Sequence, residues 1–174
     1  MDADADKIAA LLSRYEPGFL PYPIFVQIAR LVALPIVEFV PLRKSDQGVE
    51  VLLIARPEDD PLWPGLLHTP GTVIRATDLH KEQQENWLAF ERILKEELGG
   101  TEVKTPHYVG CIFHQSKRGA EQAQLYWVEV LGDPKAGTFY PVNSLPDNLI
   151  DSQLRFITEA SRHFQNQHSS FNSD

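Results

Sequence analysis

Pro70-Gly71-Thr72-Val73-Ile74-Arg75-Ala76-Thr77-Asp78, then thirteen residues, then Arg92-Ile93-Leu94-Lys95-Glu96-Glu97-Leu98-Gly99-Gly100, is the stretch on which the reading of this chain turns. A tight glycine loop feeding a helix that ends in paired glutamates suits a metal ion and a phosphate. Leu79 to Leu98 reads as the main helix. At about 100° per residue, Trp87, Phe90, Leu94 and Leu98 fall on one narrow stripe, the expected core face. Ala89, Ile93, Glu96 and Glu97 lie on an adjoining face, with Ile93 between the directions of the two glutamates. Residues 93, 96 and 97 stand in the i, i+3, i+4 relation and can converge on one object.

A Glu-Glu pair is more often a solvated helix face than a site. Here it sits just before Leu98-Gly99-Gly100, an expected helix C-terminus. Negative charge there opposes the helix dipole by about 0.3–1 kcal/mol per charge. A cation or an arginine would offset that. Arg92 is an i, i+4 partner for Glu96, a pair worth about 0.2–0.5 kcal/mol. Asp78 reads equally as the N-cap of the main helix or as an acid of the site. His68, beside the loop, is more often a hydrogen-bonded structural residue than a ligand or base. His107 and His114 suggest neither a metal pair nor a triad.

The stretch resembles the Nudix box, G-x5-E-x7-R-E-U-x-E-E-x-G-U, with U a bulky aliphatic residue. The resemblance implies that Glu96 and Glu97 are catalytic and bind Mg²⁺ or Mn²⁺, with Asp78, at the isolated acidic position, as a further metal ligand. It implies that Arg92, grouped with them, ties the loop to the helix. Gly71, Thr72, His68 and Arg56 become the expected substrate contacts. The metal would polarise a pyrophosphate and orient water. Five departures stand out. Ile93 replaces the first glutamate of the helix, Thr72 replaces a glycine, Arg75 takes a place often held by Glu, Asp78 stands where the pattern has its isolated Glu, and the Asp78-to-Arg92 spacing is longer than in the pattern. Glu121, from a later loop, is a further acid that could complete the set.

The likeness extends beyond the box. Val51-Leu52-Leu53-Ile54-Ala55-Arg56 and the hairpin Val37 to Arg56 look like the opening of a Nudix sheet. Phe139-Tyr140-Pro141-Val142-Asn143-Ser144-Leu145-Pro146 resembles the segment before the last helix. The expected fold is therefore α/β, a Nudix-like α/β/α sandwich around a mixed sheet, with an N-terminal helical extension. The element order alone already suggests a mixed sheet with helices on both faces.

The expected strands are Pro35 to Leu42, Val49 to Ala55, Pro70 to Ile74, Glu102 to Ser116, Gln122 to Val130 and Gly137 to Val142. The expected helices are Asp6 to Tyr15, Ile24 to Val32, Leu79 to Leu98 and one within Leu145 to Phe164. The organisation reads as a helical extension over 1–34, one domain over 35–165 and a frayed tail over 166–174.

At 174 residues with 43% apolar content, one domain can bury a full core. A formal net charge of −8 argues against nucleic-acid and anionic-membrane partners. It leaves room for a small phosphorylated or nucleotide ligand, since a bound cation can supply positive charge locally. The acidic N-terminus lacks a signal peptide's basic region. Cys111 is the single cysteine and fits a reducing cytoplasm. It lies in the apolar run Tyr108 to Phe113 and reads as a buried thiol.

The leading expectation is metal-dependent hydrolysis of a nucleoside diphosphate linked to another moiety. The alternative is a catalytically impaired module of the same fold that binds a nucleotide or a protein partner. A third reading is a scaffold with a vestigial pocket, dimerising through its N-terminal helices. The apolar stripes of those helices also suit a lid.

Overall fold

The computed structural model describes residues 3–46, 48–78 and 87–169. Two helices, α1 (Ala3–Leu12) and α2 (Tyr22–Leu31), precede the sheet. The strands are β1 (Leu34–Ser45), β2 (Gly48–Ala55), β3 (Leu67–His68), β4 (Gly71–Val73), β5 (His107–Gln115), β6 (Ala120–Glu129) and β7 (Thr138–Pro141). Between β4 and β5 come a 3₁₀ turn (Ala76–Asp78) and α3 (Trp87–Arg92), which runs into a π-helical turn (Ile93–Glu97). The helix α4 (Gln153–Ser169) closes the chain.

The sheet order is β3-β2-β1-β6-β5, with β4 beside β1 and β7 beside β2. β1 runs parallel to β6, and its other pairings are antiparallel. β1 is central and buried on both faces from Ile36 to Leu42, which explains its nearly unbroken apolar run. Its alternate residues face opposite layers. Ile36, Val40 and Leu42 join Phe156, Ile157, Ala160 and Phe164 of α4 in one core. Val37 and Phe39 join Ala89, Phe90, Ile93 and Leu98 in the other. This is the expected α/β/α sandwich around a mixed sheet.

Pro41 has no N–H to give a ladder and would be costly in mid-sheet. Here β1 pairs with β4 at residues 36–38 and with β2 at 42–45. Pro41 sits where the partner changes, so the missing donor goes unused.

α2 is docked against the domain. Ala29 is buried, and Phe25 packs on the α4-side core. Gly119 in the β5–β6 turn has φ 140°, and a Cβ there would overlap the Ala29 carbonyl. α1 lies outside this packing, with Ile8 and Leu11 more than half exposed. No helix among the described residues is long and apolar enough to cross a membrane.

Several expected boundaries move. The strand expected from Glu102 begins at His107, and Val103 makes only an isolated bridge to Val130. Residues 166–169, expected in a frayed tail, continue α4. Residues 79–86 of the expected main helix, and 170–174 of the tail, lie outside the described residues. Cys111 is exposed, not buried. The described β5 has only β6 as its neighbour, so an apolar run there does not imply burial.

Candidate functional site

The loop and the helix are joined by Arg92. Its guanidinium forms an ion pair with Asp78 through both terminal nitrogens. It also donates to Thr72 Oγ1 at 3.2 Å and to the Val73 carbonyl at 2.9 Å. This is the tie that the resemblance implied, and the i, i+4 pair with Glu96 does not take its place. Asp78 also accepts the Arg75 N–H at 2.7 Å, reaching back across its own 3₁₀ turn in the manner of a capping box. Burial would raise Asp78, but Arg92 and the Arg75 N–H outweigh it and hold the carboxyl below its usual range. Thr72, where the pattern has glycine, supplies an acceptor to the same arginine.

Ile93 does not stand between two site glutamates. It is fully buried with Val37, Phe39, Phe90 and Leu98. The Leu98 N–H reaches the Ile93 carbonyl, an i→i+5 bond at 3.0 Å. Such a turn advances each residue through a smaller angle than an α-helix, so a wheel drawn at about 100° misplaces the side chains beyond it. Ala89 and Ile93 belong to the core face with Phe90 and Leu98, and Leu94 packs at its margin. Trp87 carries no described side chain.

Glu97 turns toward the loop. Its Oε2 accepts the Gly71 N–H at 2.9 Å. Glu38 of β1 lies on the other side of the same glycine, so close that a Cβ at Gly71 would overlap its carboxyl group. A side chain here would have to displace that carboxyl group, which Thr69 holds; no turn conformation is involved. Burial pushes Glu38 up to about 8, and the neighbouring Glu97 adds to the rise against hydrogen bonding by Thr69. Burial pushes Glu97 up to about 7, opposed by its bond from Gly71. Proton counting agrees for Glu38. The Thr69 hydroxyl has one hydrogen but two acceptors beside it, Glu38 Oε1 at 2.5 Å and Gln153 Oε1. Gln153 Oε1 is identified as the oxygen because it accepts the Thr69 N–H at 3.0 Å. A proton on Glu38 completes the chain Glu38 to Thr69 to Gln153.

Glu38 borders a narrow cleft with an enclosed volume of about 40 Å³. Arg56, Trp63, His68, His114 and Arg118 also line it. Arg56 is anchored by Asp60, which also takes the Leu62 and Trp63 N–H groups at 2.9 and 2.8 Å. Burial, reinforced by the Arg56 charge, brings His68 down to about 4. With its Nδ1 donating to the Thr69 carbonyl at 2.7 Å, the neutral ring keeps Nε2 as its acceptor. Glu121 would be raised by burial, but bonds from His114, Arg118 and Ser116 bring it down to about 2.

Of the expected site residues, Gly71 and Glu97 meet directly, while Thr72, Asp78 and Arg92 form the tie beside them. His68 and Arg56 belong to the cleft. Glu96 is exposed. These carboxylates do not fit a Mg²⁺ or Mn²⁺ site. Glu97 is bonded to Gly71, Asp78 to Arg92 and Glu121 to its own partners, and no three metal-ligating side chains are grouped among the described residues. Sequence reasoning missed Glu38, Thr69, Gln153 and Arg118. Glu38 carried a signal, an acid inside the apolar run Ile36 to Val40. Gln153 carried none.

No family model matches the sequence, and no curated protein matches it. Solved structures do. NrtR from Shewanella oneidensis aligns at 19% identity and TM-score 0.57, covering 77% of this chain and 64% of its own. This chain thus spans less than two thirds of that protein's length. A MutT NUDIX hydrolase from Burkholderia pseudomallei aligns at 17% identity and TM-score 0.56, covering 74% of this chain and 98% of its own. The NUDIX domain of Shewanella oneidensis NrtR, crystallised with ADP ribose, aligns at 19% identity and TM-score 0.53, covering 90% and 97%. The chain has the Nudix fold.

Two expectations follow from the geometry. Glu38 holds its proton more tightly when folded, so its contribution to stability is complete below its ordinary value of 4.5 and is lost as pH rises through about 8. Glu38→Gln mimics the protonated form. Denaturant melts should find the variant about as stable as the wild type near pH 4, and more stable by over about 1 kcal/mol near pH 9. A gap that does not widen with pH would contradict the buried-acid account. Ile93→Glu puts a carboxylate into the core, not beside Glu97. It should cost roughly 3 kcal/mol or more, and Mg²⁺ should not recover the loss. Recovery in Mg²⁺ would show that residue 93 reaches the acidic face.

Proposed function

We propose that this Nudix-fold chain binds a nucleoside diphosphate linked to another moiety and is impaired in hydrolysing it. The observation that carries the reading is the placement of Ile93. The box position where a glutamate is expected is filled by an apolar side chain that packs the core. The neighbouring acids are committed to Gly71 and Arg92, so the machinery for activating water is depleted while the cleft keeps its arginines. The NUDIX domain of NrtR bound to ADP ribose supports this ligand class.

The remaining groups suit binding better than proton transfer. His68 is the acceptor nearest the loop, but a base brought down to about 4 is a weak one at neutral pH. Arg56 can pair with phosphate oxygens through the edge that Asp60 leaves open. The cleft is small as it stands, so a nucleotide must extend over its rim. The net charge of −8 keeps a general nucleic-acid partner out of the reading.

Calorimetric titration with ADP-ribose, followed by chromatography of the mixture in Mg²⁺, tests both parts. Binding should be measurable, and AMP should form about 10²–10⁴-fold more slowly than with a competent hydrolase, the usual cost of a lost base. Rapid AMP formation would return the chain to the active hydrolases. No heat of binding would remove the nucleotide reading.

A further inference from the structure

We infer that the cleft is a metal-independent anion site, in which Arg56 and Arg118 supply the positive charge that a divalent cation would otherwise bring to the phosphates. This rests on the nucleotide reading above and adds to it how the anion is held. Its basis is a mismatch within one site: acids that do not assemble around a cation stand beside arginines fixed in place.

Arg118 is held from several sides. Its backbone N–H meets Ser116 Oγ at 3.0 Å, its Nε meets Glu121 Oε1 at 2.7 Å, and its guanidinium lies 5.3 Å from the Trp63 ring centre. Lys117 fastens the same turn to the opposite loop through the Leu62 carbonyl at 2.9 Å. Trp63 in turn belongs to the Asp60 turn that anchors Arg56. One small structure therefore fixes both arginines across the cleft.

Each arginine spends one side on a carboxylate. Among the described residues, the two terminal nitrogens of Arg118 and one of Arg56 have no protein partner. A guanidinium edge fixed this way pairs with phosphate at little entropic cost. Arg56 and Arg118 line the cleft together with His68, and both charges act at that histidine. The proton on Glu38 keeps a buried negative charge from opposing an anion there.

The test is calorimetry with two probes, ADP-ribose and inorganic pyrophosphate, each in EDTA and in excess Mg²⁺. Both should bind in EDTA, and ADP-ribose should bind within about threefold of its affinity in Mg²⁺. Arg118→Gln should weaken both probes on the order of ten- to a hundredfold in EDTA. Arg118→Lys, which keeps the charge but loses the fork, should recover part of that. Arg56→Gln, on a separate loop, should give a similar loss. Thermal melts establish that each variant is folded, and an unfolded one is set aside in favour of the other arginine. Binding that requires Mg²⁺, or folded Gln variants with wild-type affinity in EDTA, overturns the inference. Pyrophosphate binding without ADP-ribose binding keeps the anion site and removes the nucleotide reading. ADP-ribose binding only in Mg²⁺ does the reverse. No binding under either condition removes both.

Discussion

Arg92 reaches Asp78, Thr72 and Val73 at once, and the position of the loop against the helix depends on that reach. The Asp78 side chain is almost fully buried and Arg92 nearly so. A pair in that setting gains little over an apolar substitute, yet losing one partner strands the other at a cost of about 3–5 kcal/mol. The geometry is therefore steeply defended. It also uses up Asp78, so an acid at a position the family pattern associates with chemistry works here as a strut.

With the loop pinned, the helix places its remaining side chains by its own phase. Ile93 follows Ala89 and Phe90 into the core, and the i→i+5 turn that begins there carries Glu97 back to the Gly71 N–H. Glu38 approaches the same glycine from β1. A crowded junction of two raised carboxylates results, held by hydrogen bonds from the protein. The arginines stand on the turns that border the cleft that Glu38 also lines.

Much of the architecture was readable from short-range pattern. The β1–β2 hairpin follows from two apolar runs around a polar turn. Phe90 falls on a core face because the helix up to Arg92 has ordinary spacing. The resemblance implied only that Arg92 ties the loop to the helix; that Asp78 is its partner was not legible, since Asp78 reads equally as an N-cap or an acid of the site. The direction of Glu97 was not legible, because the wide turn that begins at Ile93 shifts the side chains past it. Ile93 itself shares the core face of Ala89 and Phe90 by ordinary helical spacing. The Glu38–Thr69–Gln153 chain was beyond reach for another reason. It joins residues 84 apart through side chains whose types are common on any surface. Arg118 was passed over because a charged turn reads as solvated until Trp63 and Glu121 are seen beneath it.

The account depends most on Asp78 belonging to Arg92, and a double-mutant cycle measures that directly. Arg92→Met, Asp78→Asn and the double variant would be compared with the wild type by chemical denaturation at neutral pH. A coupling energy of about 2 kcal/mol or more is expected for a buried pair of this kind. Coupling below about 0.5 kcal/mol, as for independent sites, would mean that Asp78 is not spent on Arg92. Asp78 would then be open to another partner, and the part of the case against a cation that rests on it would fail.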